Sequence, residues 1–431
     1  MREMKDSGVE WIGEIPVDWN VGKTLYALSM PITDGPHETP ELFEEGIPFV
    51  SAEAVSCGNG HIDFEHIRGF ISQDFYDECC KKYIPEMHDI YMIKSGATTG
   101  KVAKVETEKL FTIWSPLAVF RTNPKKCFYE YLYYFIQSDA YQKQIENKWT
   151  YGTQQNIGMR TLEKLMICFP SIDQQMNIAD YLDVKCSKID EIIEKQLSII
   201  EKLKEYKFSI ITEAVTKGIN PDVELKDSNI DMCEQIPVHW GISQNRYLFS
   251  LRDEKNYKPL EEVRLLSLYT DLGVFPHGEQ EERGNKAVKA EGYKVVYEND
   301  IVVNIILAWM GAIGRSAYDG VTSPAYDIYK PNENVCSRYY HYLYRTKPFS
   351  AECYKYGRGI MAMRWRTYSS EFKSIKVPVP PYIEQCQIAD YLDSKCEMLD
   401  KTIADRNKAI DILQEYKKSL IYEVVTGKKE V

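Results

Sequence analysis

The sequence predicts an α+β fold: two pseudo-repeated, strand-rich α/β globules joined by two long coiled-coil helices. Three observations predict it: the chain repeats itself, each repeat ends in a helical heptad, and the stretches between read as short strands. Residues 5–19, KDSGVEWIGEIPVDW, return as residues 226–240, KDSNIDMCEQIPVHW, at a shift of 221. Lys5, Asp6, Ser7, Ile15, Pro16, Val17 and Trp19 recur as Lys226, Asp227, Ser228, Ile236, Pro237, Val238 and Trp240. A second match, QQMNIADYLDVKCSKID from Gln174 against EQCQIADYLDSKCEMLD from Glu384, has a shift of 210. It runs on without a gap to EYKFSIITEAVT (205–216) and EYKKSLIYEVVT (415–426). Two collinear matches fix the order head motif, variable middle, long tail, and fix it twice.

The tails are helices by period. Ile178, Leu182, Cys186, Ile189, Ile193, Leu197, Ile200, Leu203, Tyr206 and Ile210 follow one another at steps of three or four, which reads as the heptad seam of a coiled coil. The second tail repeats it with Ile388, Leu392, Cys396, Leu399, Ile403, Asn407, Ile410, Leu413, Tyr416 and Leu420. Pro170 and Pro380–Pro381 precede these helices, and Gly218 and Gly427 follow, in the order that helix starts and stops require. The seam from 178 to 210 makes a rod of about 50 Å. Asn407, the one polar seam residue, is either a register-fixing group or a tolerated one near a solvated edge. Each helix needs a partner, and the nearest is its own repeat. The predicted organisation is a globule over 1–168, a helix over 169–217, a linker over 218–227, a globule over 228–378 and a helix over 379–431.

The middles supply the strands. Asp89-Ile-Tyr-Met-Ile-Lys and Asp300-Ile-Val-Val-Asn-Ile each precede a Gly-Ala segment, and their β-branched and aromatic content reads as buried strand. Tyr131-Leu-Tyr-Tyr-Phe-Ile and Tyr340-His-Tyr-Leu-Tyr read as a short core helix in each half.

Composition narrows the function. With 44% hydrophobic and 27% charged residues in 431, the chain is globular. No apolar run approaches the ~20 residues of a membrane span, and the start, Met-Arg-Glu-Met-Lys-Asp-Ser, lacks a signal peptide's apolar core. Eleven cysteines without a CxxC pair, beside seven histidines, argue against a disulfide framework or a zinc site and fit a reducing cytoplasm. The net charge of −11 is unevenly spread. Residues 31–80 hold eleven Asp and Glu against one Arg, which reads as a solvated face, whereas Arg345 to Lys376 holds eight Lys and Arg against two Glu. Global acidity therefore does not exclude DNA.

Catalytic motifs are missing. Ser95-Gly-Ala-Thr98-Thr-Gly-Lys101-Val has only three residues between its glycines, and Val102 where a phosphate-binding loop needs Ser or Thr. It reads as a tight turn between strands. No dinucleotide fingerprint, adenine-methylation Pro-Pro-Tyr run, His-Glu-x-x-His or Gly-x-Ser-x-Gly is present. His61 and His66, among Asp63 and Glu65, read as a solvated loop rather than a metal site. We expect no catalytic residue, no metal and no cofactor on this chain.

Binding signals are clearer. Lys148, Trp149, Tyr151, Gln154, Gln155 and Asn156, followed by Arg160, put aromatic, amide and cationic side chains on one glycine-flexible segment. Gln and Asn pair bidentately with adenine edges and Arg with guanine. The second half offers Tyr356, Arg358, Arg364, Trp365, Arg366 and Tyr368, with Lys373 placed for phosphate contacts. Thr98 and Lys101 of the glycine turn complete the candidate DNA-binding set. The alternative is a solvated basic loop, but comparable placement in both halves favours binding.

The pattern resembles a known family, the specificity subunit of type I restriction-modification systems. The residues that carry the resemblance are the head motif and its repeat, the helix starts FPSIDQQMNIADYLD and PPYIEQCQIADYLD, the tails EYKFSIITEAVTKGINP and EYKKSLIYEVVTGK, and SGATTGKVA after its strand. The likeness covers both halves. It implies that each middle is a target recognition domain reading one half of a bipartite DNA site, and that the two helices pack antiparallel as a ruler between them. It implies double-stranded DNA as ligand, and two adenine methyltransferase subunits, and optionally two ATP-dependent restriction subunits, as partners. S-adenosylmethionine, ATP and magnesium would belong to those partners. Gln174 departs from the pattern, where the second copy has Glu384.

A ~50 Å rod spans at most about 14 base pairs, so two short half-sites with an unspecified gap of about six to eight pairs would follow. The middles differ, so the site should be asymmetric. The rival readings are a coiled-coil scaffold that joins partners without reading DNA, and an enzyme with an unrecognised site.

Overall fold

The computed structural model describes residues 2–151, 155–270, 273–278, 290–359 and 365–431, with the side chains of Thr150 and Tyr151 left aside. The chain forms two compact units, Met1–Gln196 with Asn407–Val431, and Leu197–Arg406. The long helices run Ile172–Lys217 and Tyr382–Val425, so each contributes to both units. They are longer than the seam alone predicts: 46 and 44 residues rise about 65–70 Å, because each continues past the heptad into a globule's core.

In the first unit the central sheet is antiparallel in the order Thr33–Asp34, Leu117–Phe120, Ile90–Ile93, Val102–Lys104. The second unit repeats that order with Phe249–Arg252, Tyr326–Pro331, Ile301–Asn304 and Ile313–Arg315. The runs at Ile90–Ile93, Leu117–Phe120 and Ile301–Asn304 are buried throughout, which is why they read as continuous apolar stretches rather than alternating ones. The residue before each central strand is a buried acid held by an arginine. Asp89 accepts from Arg121 Nε at 2.7 Å, and Asp300 from Arg252 Nε at 2.9 Å. A buried charge without such a partner would be costly.

The beginning and end of each middle pair as strands, Asn20–Lys23 with Met166–Phe169 and Gly241–Gln244 with Lys376–Val379. This brings the head motif to the start of the long helix. The head motifs are hairpins, Met4–Asp6 with Glu14–Pro16 and Leu225–Ile230 with Cys233–Pro237. Leu225–Asp227, expected in the linker, are thus strand: the repeated head begins with a paired segment, and the free connection is shorter than the composition suggests. The short helices expected in the core run Tyr129–Gln137 and Ser337–Tyr344.

A buried glutamine staples each helix start. Gln175 Oε1 accepts from the Phe128 N–H at 2.8 Å and its Nε2 donates to Pro170 O at 3.0 Å. Gln385, its repeat equivalent, does the same with Cys336 N–H and Pro380 O, both at 2.9 Å. The helix ends are held too. The Tyr131 hydroxyl lies 3.1 Å from Val425 O, and Tyr339 donates to Val215 O at 2.7 Å. These carbonyls lie in the last turn of their helices, where no intrahelical donor remains. Gly427, at φ +72°, then turns the chain against Pro16 and Trp19; a Cβ there would lie 2.5 Å from the Pro16 ring.

The seam departs from its heptad in the middle. Ile178, Leu182, Cys186 and Ile189 are buried, as are Ile388, Leu392, Cys396 and Leu399. Leu197 and Tyr206, however, are 50% and 57% exposed, Tyr416 is 52% exposed, and Asn407 faces solvent. Near the centre Gln196, Ile199, Arg406 and Ala409 are the half-buried positions instead. A straight helix of 3.6 residues per turn drifts against a seven-residue repeat, so the stripe widens by the preceding residue while Ile200 and Ile410 stay buried on it. Asn407 is therefore not a seam residue.

All eleven cysteines are unpaired. No described helix is long and apolar enough to cross a membrane, and the described residues include no His/Cys/Asp/Glu group that could hold a metal. His61 is instead bound to Glu106 at 2.5 Å and His66 to Asp63 at 2.7 Å.

Candidate nucleic-acid interface

The two segments singled out in the first half, the glycine turn and the run from Lys148, meet in one place. Lys94 follows the buried central strand, and the chain turns through Gly96, at φ +103°, with Thr99 N–H and Oγ1 bonded to Gly96 O at 3.2 and 2.7 Å. Thr150–Tyr151 and Gln155–Asn156 form a two-stranded hairpin. The hairpin is clipped to the turn by Gly96 N–H to Gln155 O at 3.0 Å, Ile157 N–H to Lys94 O at 2.9 Å, and a bridge between Ser95 and Asn156. The glycine segment is thus a turn that carries a hairpin, not a phosphate loop.

Around this clip Lys101, Lys148, Asn156 and Arg160 are exposed, and Thr98 and Gln155 half-buried. Lys101 Nζ reaches Ser56 O at 3.3 Å. Trp149 packs against the core, and its buried indole N–H has no hydrogen-bond partner. It is a support for the hairpin more than a reader. Gln154 lies outside the described residues, as does the side chain of Tyr151.

The second unit builds the same clip from different residues. Arg358 and Arg366 exchange backbone N–H to O bonds, both at 2.9 Å, and Thr367 N–H donates to Ile305 O at 2.8 Å. Ile305 follows its central strand as Lys94 follows the first. Arg358 has a 78% exposed side chain and pairs through Nε with Glu371 at 3.0 Å. Arg366 and Lys373 are half-buried, and Tyr368 is 46% exposed. Tyr356 packs on the core. Trp365 stacks on Tyr354 at 4.9 Å and donates its indole N–H to Tyr354 O at 2.9 Å, so it rigidifies the hairpin. Arg364 lies outside the described residues.

Sequence reasoning missed the 305–311 turn as part of this surface. Only Gly311 and Gly314 marked it, and nothing in its apolar Leu307-Ala-Trp-Met310 run distinguishes surface from core. The acidic 31–80 stretch is also not wholly a solvated face. Asp34 is buried and takes Lys94 at 3.3 Å and His37 at 3.2 Å, as well as Lys82.

Residues 36–202 match the type I restriction modification DNA specificity domain. A relative from Methanocaldococcus jannaschii, assigned as the MjaX type I restriction enzyme specificity subunit, is 27% identical over 97% of this chain and 96% of its own. Over nearly its whole length the chain is similar to type I restriction enzyme specificity subunits. The MjaVIII specificity subunit of the same organism is 21% identical over 86% of each chain. The fold is shared with solved structures. A chain from a study of complex assembly and conformational transition of the type I restriction-modification system aligns at a TM-score of 0.69 and 12% identity, over 96% of this chain and 99% of that one. The HsdS subunit from Thermoanaerobacter tengcongensis aligns at 0.51 and 13% identity, over 96% and 98%.

Proposed function

We propose that this chain is a type I specificity subunit, a non-catalytic DNA reader that recognises an asymmetric, bipartite target and presents it to methyltransferase, and optionally restriction, subunits. The observation that carries this reading is the repeated clip. In each half a turn after the central strand is bonded to a hairpin bearing amide and guanidinium side chains, on the same scaffold but with different residues. Asn156 and Gln155 suit adenine edges, while Arg358 and Arg366 suit guanine edges or phosphates. Lys101, Lys148, Arg160 and Lys373 suit the backbone, with Thr98 beside them. Because the two sets differ, the two halves of the target should differ. S-adenosylmethionine, ATP and magnesium fall to the partner subunits in this reading. Apolar side chains exposed along the long helices, among them Val184, Phe208 and Met398 at 54% each, give such partners a surface to bury.

The test is a methylome. The chain is expressed with its neighbouring methyltransferase in an unmethylated host, and modified adenines are mapped. One asymmetric bipartite motif with a fixed gap, marked on both strands, is the expected result. Co-purification without any motif would favour the scaffold, and activity of the chain alone would favour an enzyme.

A further inference from the structure

In the second unit the turn between Ile301–Asn304 and Ile313–Arg315 holds two large apolar side chains in solvent, Leu307 at 37% and Met310 at 52% exposure. The turn itself is firmly built. Asn304 Oδ1 accepts from the N–H groups of Ile306 and Leu307 at 3.0 and 3.3 Å. Met310 N–H donates to Leu307 O at 2.9 Å, and Gly311, at φ +87°, donates to Ala308 O at 2.9 Å. Trp309 donates its indole N–H to Ile306 O at 3.0 Å and lies 5.9 Å from Tyr354, which in turn stacks on Trp365. Ala308 is buried. The inward positions are therefore filled by Ala308 and Trp309. Leu307 caps the 3₁₀ turn Ala308–Met310 and stands three residues before Met310, whose N–H closes onto its carbonyl. The fold does not require either to be apolar.

The matching turn of the first unit, Ser95-Gly-Ala-Thr-Thr-Gly100, carries no large apolar side chain. The difference thus falls on the part of the repeated clip that faces outward. The flanking hairpin, bonded to this turn through Thr367 and Ile305, bears Arg358 and Arg366, cations that suit the phosphates on either side of a groove. In the major groove only thymine offers an apolar group, its C5 methyl.

We propose that Leu307 and Met310 are specificity-determining residues that pack on the C5 methyl of a thymine in the half-site read by the second unit. The proposal rests on the DNA-reading function above. It is tested with the full chain in complex with its methyltransferase, by competition binding to the motif that the methylome defines. Each thymine of the second half-site is replaced in turn by uracil, which lacks only the methyl. At one position uracil should weaken wild-type binding about four-fold, the worth of one buried methyl group. Met310→Ala or Leu307→Ala should weaken binding to the thymine duplex similarly and be nearly indifferent to uracil there, while Met310→Leu keeps the discrimination. Uracil tolerated at every position, a half-site without thymine, or a uracil penalty unchanged in both alanine variants would overturn the proposal while leaving DNA reading intact. A wild-type complex that does not prefer its motif over scrambled DNA would overturn both.

Discussion

Lys417 Nζ lies 2.6 Å from Asp190 Oδ2, joining the end of the second long helix to the start of the first within one unit. Its repeat equivalent, Lys207 with Asp400 Oδ1, also at 2.6 Å, joins the same two helices in the other unit. In both units the lysine stands late in one helix and the aspartate earlier in the other, so within each unit the two helices run antiparallel. The pairs are partly exposed, and their worth is register more than stability.

Reversing one charge should expose that role. Lys417→Asp is expected to destabilise by about 1–2 kcal/mol, and the swap Asp190→Lys with Lys417→Asp to recover at least half of it. Urea unfolding of the wild type, both single variants and the swap closes the cycle. An uncoupled cycle would make the pair incidental.

The glutamine staple should matter more. Gln385→Leu keeps the volume but leaves the Cys336 N–H and Pro380 O buried without partners, an expected cost of about 2–4 kcal/mol. Hydrogen exchange should show the loss first at the start of the second long helix. Gln175→Leu is expected to act likewise in the first unit.

Acid should weaken the second unit through His341. Its Nδ1 accepts the Arg315 backbone N–H at 3.1 Å, which requires a neutral ring. Burial, with Arg345 and Arg315 beside it, pushes its pKa down to about 3. An unfolded histidine titrates near 6.5, so between pH 6.5 and pH 3 the unfolded state takes up a proton that the folded state refuses. Stability present above pH 6.5 should therefore fall as the pH drops, by up to about 3 kcal/mol at pH 4. His341→Asn, which retains an acceptor, should flatten that dependence in denaturant melts at a series of pH values.

Removing one helical turn, four residues, from each long helix at equivalent positions shortens each by about 6 Å. The mapped motif should keep both half-sites and lose one or two pairs of its gap. An unchanged gap would mean that the helices do not set the spacing.

Replacing residues 241–378 by the corresponding segment of another specificity subunit should change one half-site only. Methylated-motif mapping distinguishes this from a change in both, which would break the modular reading.

The repeat, both helices and the central strands were legible because each rests on a short-range signal: a duplicated word, a period, a buried apolar run. The exposed Asn407 was not, because a heptad written over a straight helix drifts by an amount that only packing reveals. The Gln174 departure also needed coordinates. Gln174 Nε2 donates to Asp18 at 3.3 Å, while Glu384 binds His239 at 2.7 Å. The acid has merely changed sides of the contact, so the substitution is matched by a second one in the head motif. Of the candidate site, polar composition marked the hairpins and the glycine turn, since amides and cations beside glycine seldom serve a core. Leu307 and Met310 escaped notice because an apolar residue carries no mark of its exposure, and the support that Trp149 and Trp365 lend their hairpins was not legible because an indole supports a surface as readily as it reads one.

The two helix ends have a topological consequence. Lys428 reaches Ile12 O, and Tyr422 lies 3.3 Å from the same carbonyl, so in one unit the tail of the second repeat rests on the head of the first. In the other unit Gly218 turns beside Pro237 and Trp240, joined to that head by a few linker residues. Each unit therefore pairs one repeat's head with the other repeat's tail, and the point at which the chain is cut could be moved. A circular permutant cut at 219–223, with Val431 tethered to Arg2, would keep the Tyr131–Val425 and Tyr339–Val215 bonds that hold the helix ends. A single repeat would carry a head and a tail that seek their complements on another copy.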